Sequence, residues 1–408
     1  MGGSGHIILK NPGCVKKCRI FSAYTAPMIY RNQKYFPALP SLLLNFSKFI
    51  DGFPAFCYIV LSDRVTETCE ARNRGRTCGS LPFQTSDRSN MTHPKTFSTF
   101  SEQISWLQNE KHIIITDKEF AENTLKQIGY FPLMGGYKHL FRVPLTKQYK
   151  EGTAFEEITA LYQFDSSLRE LFFKYLLQIE RHLRSLMSYY FSEKYGESQA
   201  AYLNINNFNL NRRTHNTASR LIATLQRAVS STDYIYINYY RTTYRNVPLW
   251  VLLNVLTFGN LSKMYQVFPQ SLQSNVCKNF GSINRKEMKQ FLSVLTKFRN
   301  VCAHGERLFT YRTMDHISDL PLHKKLCIPI NGTQYRYGKN DLFAVVIAFY
   351  YLIPEKDFLL FKRKLSRLLN NISKELNHLD SHELLERMGF PENWQNITHC
   401  QQPALKNI

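Results

Sequence analysis

The chain has 408 residues, 44% of them hydrophobic and 14% aromatic, which excludes a disordered polymer and allows one large core or two ordinary ones. Its 52 Lys and Arg face 31 Asp and Glu, a formal net charge of +21, so a nucleic acid is the first partner to expect, ahead of an anionic membrane surface. The most apolar run, residues 342–353, falls short of the roughly 20 residues that span a bilayer, no secretory signal is visible, and nine irregularly spaced cysteines fit free thiols. The expectation is a cytoplasmic protein with no membrane partner.

Residues 1–90 open on Met1-Gly2-Gly3-Ser4-Gly5 and show no sustained helical periodicity. They are expected to be a leader or an added extension, poorly structured. Cys14 and Cys18 could open a zinc site, but Cys57, Cys69 and Cys78 match no zinc spacing, so no metal is expected. Residues 91–395 read as a helical domain and 396–408 as a tail. Phe100 to Asn109 and Asp117 to Ile128 predict two short helices, the second capped by Asp117. A breaker-rich aromatic turn follows, Tyr130-Phe131-Pro132-Leu133-Met134-Gly135-Gly136-Tyr137.

The longest periodic element is predicted from about Ser166 to Tyr195, where Leu168, Phe172, Tyr175, Ile179, Leu183 and Met187 recur at three and four and Gly196 supplies the stop. Arg169, Lys174, Arg181 and Arg184 project from its other faces; Arg181 and Arg184 are candidate RNA contacts. A helix after Pro248 runs through Trp250, Leu253 and Leu256 to meet Gly259. Asn284 and Glu287 resemble a capping box that opens the next helix, whose core stripe Met288, Phe291, Leu292, Leu295 and Phe298 leads into Arg299. Further helices are predicted at about 341–353, 355–377 and 381–388, with one hairpin centred on Asn331-Gly332. The fold class is all-α with one small β-hairpin.

Arg299-Asn300-Val301-Cys302-Ala303-His304-Gly305-Glu306-Arg307 carries the chemistry. With Arg299 at zero and about 100° per residue, Asn300, His304 and Arg307 share one stripe, turned away from the core, and Arg299 flanks it. Breaking RNA without a metal needs a base for the 2′-hydroxyl, an acid for the leaving 5′-oxygen and a cation for the phosphorane. Histidine serves either proton role and arginine grips phosphate. One histidine per chain is one short of a two-histidine mechanism, and a twofold pair of chains would supply the second. The spacing alone is cheap, since Arg88 and His93 repeat it in a polar segment. Cys302 reads as a small packed side chain, and Glu180 with Arg184 as a helical i,i+4 ion pair.

The stretch Arg299 to Phe309 resembles the signature of the Abi-like (AbiD/AbiF type) abortive-infection proteins, of the HEPN superfamily. Three more stretches agree in order: Ile128 to Tyr137, Ile179-Glu180-Arg181-His182-Leu183-Arg184-Ser185, and Pro248-Leu249-Trp250 with Thr257-Phe258-Gly259-Asn260-Leu261-Ser262. This resemblance implies a HEPN-type helical bundle with additional helices over 91–395. It also implies a homodimer joining two Arg–His motifs, and a metal-independent, cofactor-free endoribonuclease acting as a toxin in phage defence or a toxin–antitoxin pair. Products would be 2′,3′-cyclic phosphate and 5′-hydroxyl ends. By position Arg299 and His304 would be catalytic, Asn300 supporting and Arg307 a phosphate contact, and Glu180 would orient the helix. A protein or RNA antitoxin would restrain the toxin. The alternative is a non-catalytic RNA-binding protein that forms a ribonucleoprotein with a structured regulatory RNA, using aromatic and basic residues such as those from Tyr234 to Tyr244.

Overall fold

The computed structural model describes residues 96–399 except 145 and 147; the 1–90 segment with its Cys14/Cys18 pair and residues 400–408 lie outside these. Among the described residues the fold is helical, with one two-stranded hairpin. Helix α1 (Phe100–Asn109) is held by a capping box between Thr99 and Glu102, and α2 (Lys118–Ile128) by Asp117, whose carboxylate accepts from the Phe120 amide. The aromatic turn winds as a π-helical turn (Phe131–Gly135) and a 3-10 turn (Lys138–Leu140).

Helix α3 (Phe155–Tyr195) then runs 41 residues, about 60 Å at 1.5 Å per residue. Phe155, Ile158, Leu161, Phe164, Leu168, Phe172, Tyr175, Ile179, Leu183, Met187 and Phe191 are all buried, so one apolar stripe runs its whole length. It begins eleven residues before the predicted Ser166. Asp165-Ser166-Ser167 has cap-type residues, but Asp165 sits inside the helix, fully buried, and bonds elsewhere.

Short α4 (Gln199–Leu203) leads to α5 (His215–Ser230) and α6 (Ile235–Thr243). The helix predicted after Pro248 is broken: α7 (Leu249–Leu252) passes into a 3-10 turn, and Thr257 caps a new α8 (Phe258–Val267). Gly259 therefore lies in the first turn of α8 and ends nothing; its position is 3.5 Å from Thr296 for any added Cβ. Helix α9 (Gln270–Cys277) precedes α10 (Arg285–Ala303).

After α11 (Pro321–Lys325), strands β1 (Ile330–Asn331) and β2 (Gln334–Tyr335) pair antiparallel, Ile330 with Tyr335 and Asn331 with Gln334. The turn thus centres on Gly332-Thr333, one residue later than predicted. All eleven residues of α12 (Leu342–Leu352) are buried, as a helix apolar all round requires. No described helix is long and apolar enough to cross a membrane. Helix α13 (Glu355–Ile372) ends five residues before the predicted 377, and α14 (Ser381–Met388) stops at Gly389 in the left-handed region. Helices α3, α8, α10, α12 and α13 pack as the centre of the bundle, with α10 against α3, α8 and α12.

Candidate functional site

The sequence of α10 sets both of its ends. Asn284 Oδ1 accepts from the Lys286 and Glu287 amides at 2.9 and 3.0 Å, and Glu287 returns a bond to the Asn284 amide at 2.8 Å. The buried stripe Met288, Phe291, Leu292, Leu295, Phe298 and Val301 fixes its roll. At the other end the Gly305 amide donates to the Cys302 carbonyl (3.4 Å) and the Glu306 amide to that of Val301 (3.1 Å), with Gly305 at φ +68°. This is a Schellman closure, and it satisfies carbonyls the last turn would orphan. His304 becomes the capping residue, exposed, its ring engaged by no described residue. Asn300, one turn earlier, is exposed as well.

Arg299 is held from α3. Its Nε lies 3.5 Å from Glu180 Oε2, its guanidinium carbon 5.9 Å from the Phe173 ring centroid, and 23% of its side chain is exposed. The separation is right for an ion pair but the alignment falls short of a hydrogen bond, so both buried atoms keep bonding capacity unused. Glu180 is 1% exposed, and its Oε1 accepts from Arg184 Nη2. The same Arg184 nitrogen donates to the Leu256 carbonyl at 2.9 Å. Arg184, expected as an RNA contact, is therefore a tie between α3 and the turn before α8. Arg181 is exposed and can meet a ligand.

Beyond His304 the chain is fastened by Asp165, which sequence reasoning missed. This carboxylate accepts from Tyr137 Oη (2.7 Å), Arg169 Nη1 (2.7 Å) and the amides of Leu308 (3.0 Å) and Phe309 (2.8 Å). Burial pushes its pKa up, against the pull of Arg169 and these donors. Arg169 also donates to the Glu306 carbonyl at 3.3 Å, and the Tyr137 ring lies parallel to that of Phe309, centroids 6.0 Å apart. An Asp and an Arg four apart on a helix were the visible signal; their burial was not.

Arg307 leaves the predicted stripe. Helical spacing ends at Ala303, so Arg307 swings away to donate to the Gly136 carbonyl and to meet His139 Nδ1 at 3.1 Å. Arg307, Arg312 and Arg387 line a cavity of about 620 Å³ with His139, Glu383 and Glu386. His139 is pushed down to about 4 by burial and then by Arg307, so it is neutral near pH 7. A second cavity, about 320 Å³, opens between α3 and the α10 end, beside Arg169, Phe173, Cys302 and Gly305. The Cys302 thiol is pushed up to about 12, chiefly by burial, which removes it as a nucleophile.

The structure thus joins Arg299, Asn300 and His304 at one helix end, places Arg307 in a neighbouring cavity and uses Arg184 as a strut. The architecture and this end define an all-α protein whose helix terminus carries a half-buried Arg299 with exposed Asn300 and His304 and is propped by two buried carboxylates. Residues 123–310 match the model of the family described as Abi-like protein, from within α2 to just past the Asp165 clasp, and over this region the chain is similar to that family. No curated protein and no solved structure matches the chain.

Proposed function

We propose that the chain is a metal-independent endoribonuclease of the abortive-infection or toxin–antitoxin kind, acting in the cytoplasm as a homodimer. The family's name supports the defence role, and the net charge of +21 supports an RNA substrate. The observation that carries the chemistry is the helix end itself: a cation anchored by a buried carboxylate, on the same helix end as a solvent-facing imidazole with no competing bond among the described residues.

In this reading His304 of one copy takes the proton of a ribose 2′-hydroxyl. The oxygen attacks the adjacent phosphorus, the P–O5′ bond breaks, and the imidazolium of a second copy protonates the leaving 5′-oxygen. The products are a 2′,3′-cyclic phosphate and a 5′-hydroxyl. Arg299 from each copy stabilises the non-bridging oxygens, and Asn300 orients the phosphate or the ring. Around an ideal helix Arg299 and His304 of one copy diverge by about 140°, which favours cation and proton carrier acting from different chains.

The test compares wild type with His304→Ala on total RNA in EDTA. Cleavage by wild type, lost by about 10²-fold or more in the variant at an unchanged unfolding midpoint, is the expected result. Activity that vanishes in chelator and returns with magnesium would overturn the metal-free chemistry. RNA that stays bound and intact with both proteins would favour the ribonucleoprotein alternative.

A further inference from the structure

We propose that α6 and the arginine-rich segment around it form a landing surface for single-stranded RNA that feeds the α10 end. The inference rests on the ribonuclease reading above and names where its substrate is held.

From Asn204 to Ser262 the only carboxylate is Asp233, against Arg212, Arg213, Arg220, Arg227, Arg241 and Arg245. All but Arg241 are exposed. Among the described residues Arg169, Arg184, Arg299, Arg312, Arg336 and Arg387 each pair with an Asp or Glu; here the sequence provides almost nothing to pair with, so the charge faces solvent uncompensated. Helix α6 is as unusual in its apolar content. Ile237 is its single buried residue, while Ile235 is 76% exposed, Tyr239 52% and the following Tyr244 58%, with Tyr234 and Tyr236 exposed beside them. Arg241 ties the helix to the α5 end through the Val229 carbonyl at 3.1 Å, leaving the tyrosine rings outside the core. The rings brace one another: Tyr239 and Tyr244 meet edge to face with centroids 5.8 Å apart, and Tyr234 and Tyr236 are tilted at 51° with centroids 6.0 Å apart.

Exposed rings among uncompensated arginines suit unpaired bases. Every base has a π-face to stack, and the backbone supplies the anions. A duplex hides those faces, so the surface selects single strands. The location completes the argument. Burial, and then Tyr234, raise the Tyr236 phenol, and Arg184, the arginine that shares Glu180 with Arg299, opposes them. The proposed route runs from the α6 rings past Arg184, which shares Glu180 with Arg299, to the α10 end.

The full chain carrying His304→Ala, which leaves RNA uncut, is titrated into a fluorescent unstructured 20-nucleotide RNA and into the same sequence as a duplex. Its Tyr236→Ala/Tyr239→Ala derivative is expected to bind the single strand about tenfold or more weakly, with duplex affinity little changed. Tyr236→Phe/Tyr239→Phe retains the rings and should retain the affinity. Arg245→Ala should reduce the salt slope by about 0.7. Single-strand affinity untouched by the alanine pair would overturn the inference. So would a fall in molecular mass by light scattering with RNA affinity intact, which would assign the face to a second copy. If the parent binds no RNA at all, the ribonuclease reading fails with it, a result distinct from the first.

Discussion

Two carboxylates decide where the helix end lies, and each makes a different prediction. Asp165, fully buried, has a charged partner and three neutral donors converging on it. Asp165→Asn strands Arg169 without its counter-charge, and an amide hydrogen replaces an acceptor facing backbone N–H groups. A loss of about 3–5 kcal/mol is expected in denaturant unfolding, with activity lost only as far as the fold is. Glu180 is a positioning residue. Glu180→Gln should lower kcat at least about tenfold by releasing Arg299, while the shape of the pH profile is kept, because the proton-transfer groups are untouched. A pH profile that moves with this substitution would place Glu180 in proton transfer instead. The residue types at 299, 300 and 304 were legible in the sequence because each has a narrow chemical use. Asp165 was not, since nothing along a sequence distinguishes a buried carboxylate from a solvated one.

At the scale of elements, local signals read well wherever they are self-contained. The Asp117 cap, the Asn284–Glu287 box and the Gly196 and Gly389 stops all stand where the sequence places them. Boundaries slipped where tertiary contacts override a local preference: α3 starts early because its apolar stripe continues through Phe155, and Arg307 leaves the wheel because Gly305 closes α10. Two glycines separate the forces at work. At Gly305 an added Cβ meets nothing within 4 Å, so Gly305→Ala should cost only the left-handed strain, about 1–2 kcal/mol. At Gly338, with φ +75°, the Cβ would lie 2.7 Å from Ile347 Cδ1, so Gly338→Ala adds a core clash and should cost visibly more in the same thermal melt. Equal shifts for the two would mean that backbone strain alone governs both.

Across the whole molecule, four separated stretches turn out to be one support. The aromatic turn supplies Tyr137 and the Gly136 carbonyl and α3 supplies Asp165 and Glu180, which converge on residues 299–309, while the Trp250 region supplies the Leu256 carbonyl that holds Arg184 beside Glu180. Their order was legible; their convergence was not, because contacts between residues 28 to 171 apart in sequence leave no local pattern. Acid sensitivity is also a property of the assembled core. His323 is fully buried, its Nδ1 accepting the Leu320 amide (3.0 Å), so Nε2 holds the hydrogen and donates to the Gly338 carbonyl (2.9 Å). Burial lowers its pKa beneath the ordinary value of 6.5. The unfolded chain then binds the extra proton first. Stability from this site is whole above about pH 6.5 and is lost as pH falls through the depressed folded value. The melting midpoint should drop on acidification from pH 7 towards 5, and His323→Asn should flatten that slope while lowering the midpoint at every pH.

The clasp beyond His304 has a kinetic meaning as well. Residues 304–307 form a short span moored at both ends, by the closure of α10 on one side and by Asp165 at Leu308 and Phe309 on the other. The entropy of ordering that span is surrendered when the chain folds, not when a ligand arrives. Capture at this end then waits on encounter rather than on loop closure, so its rate should follow charge and ionic strength more than temperature.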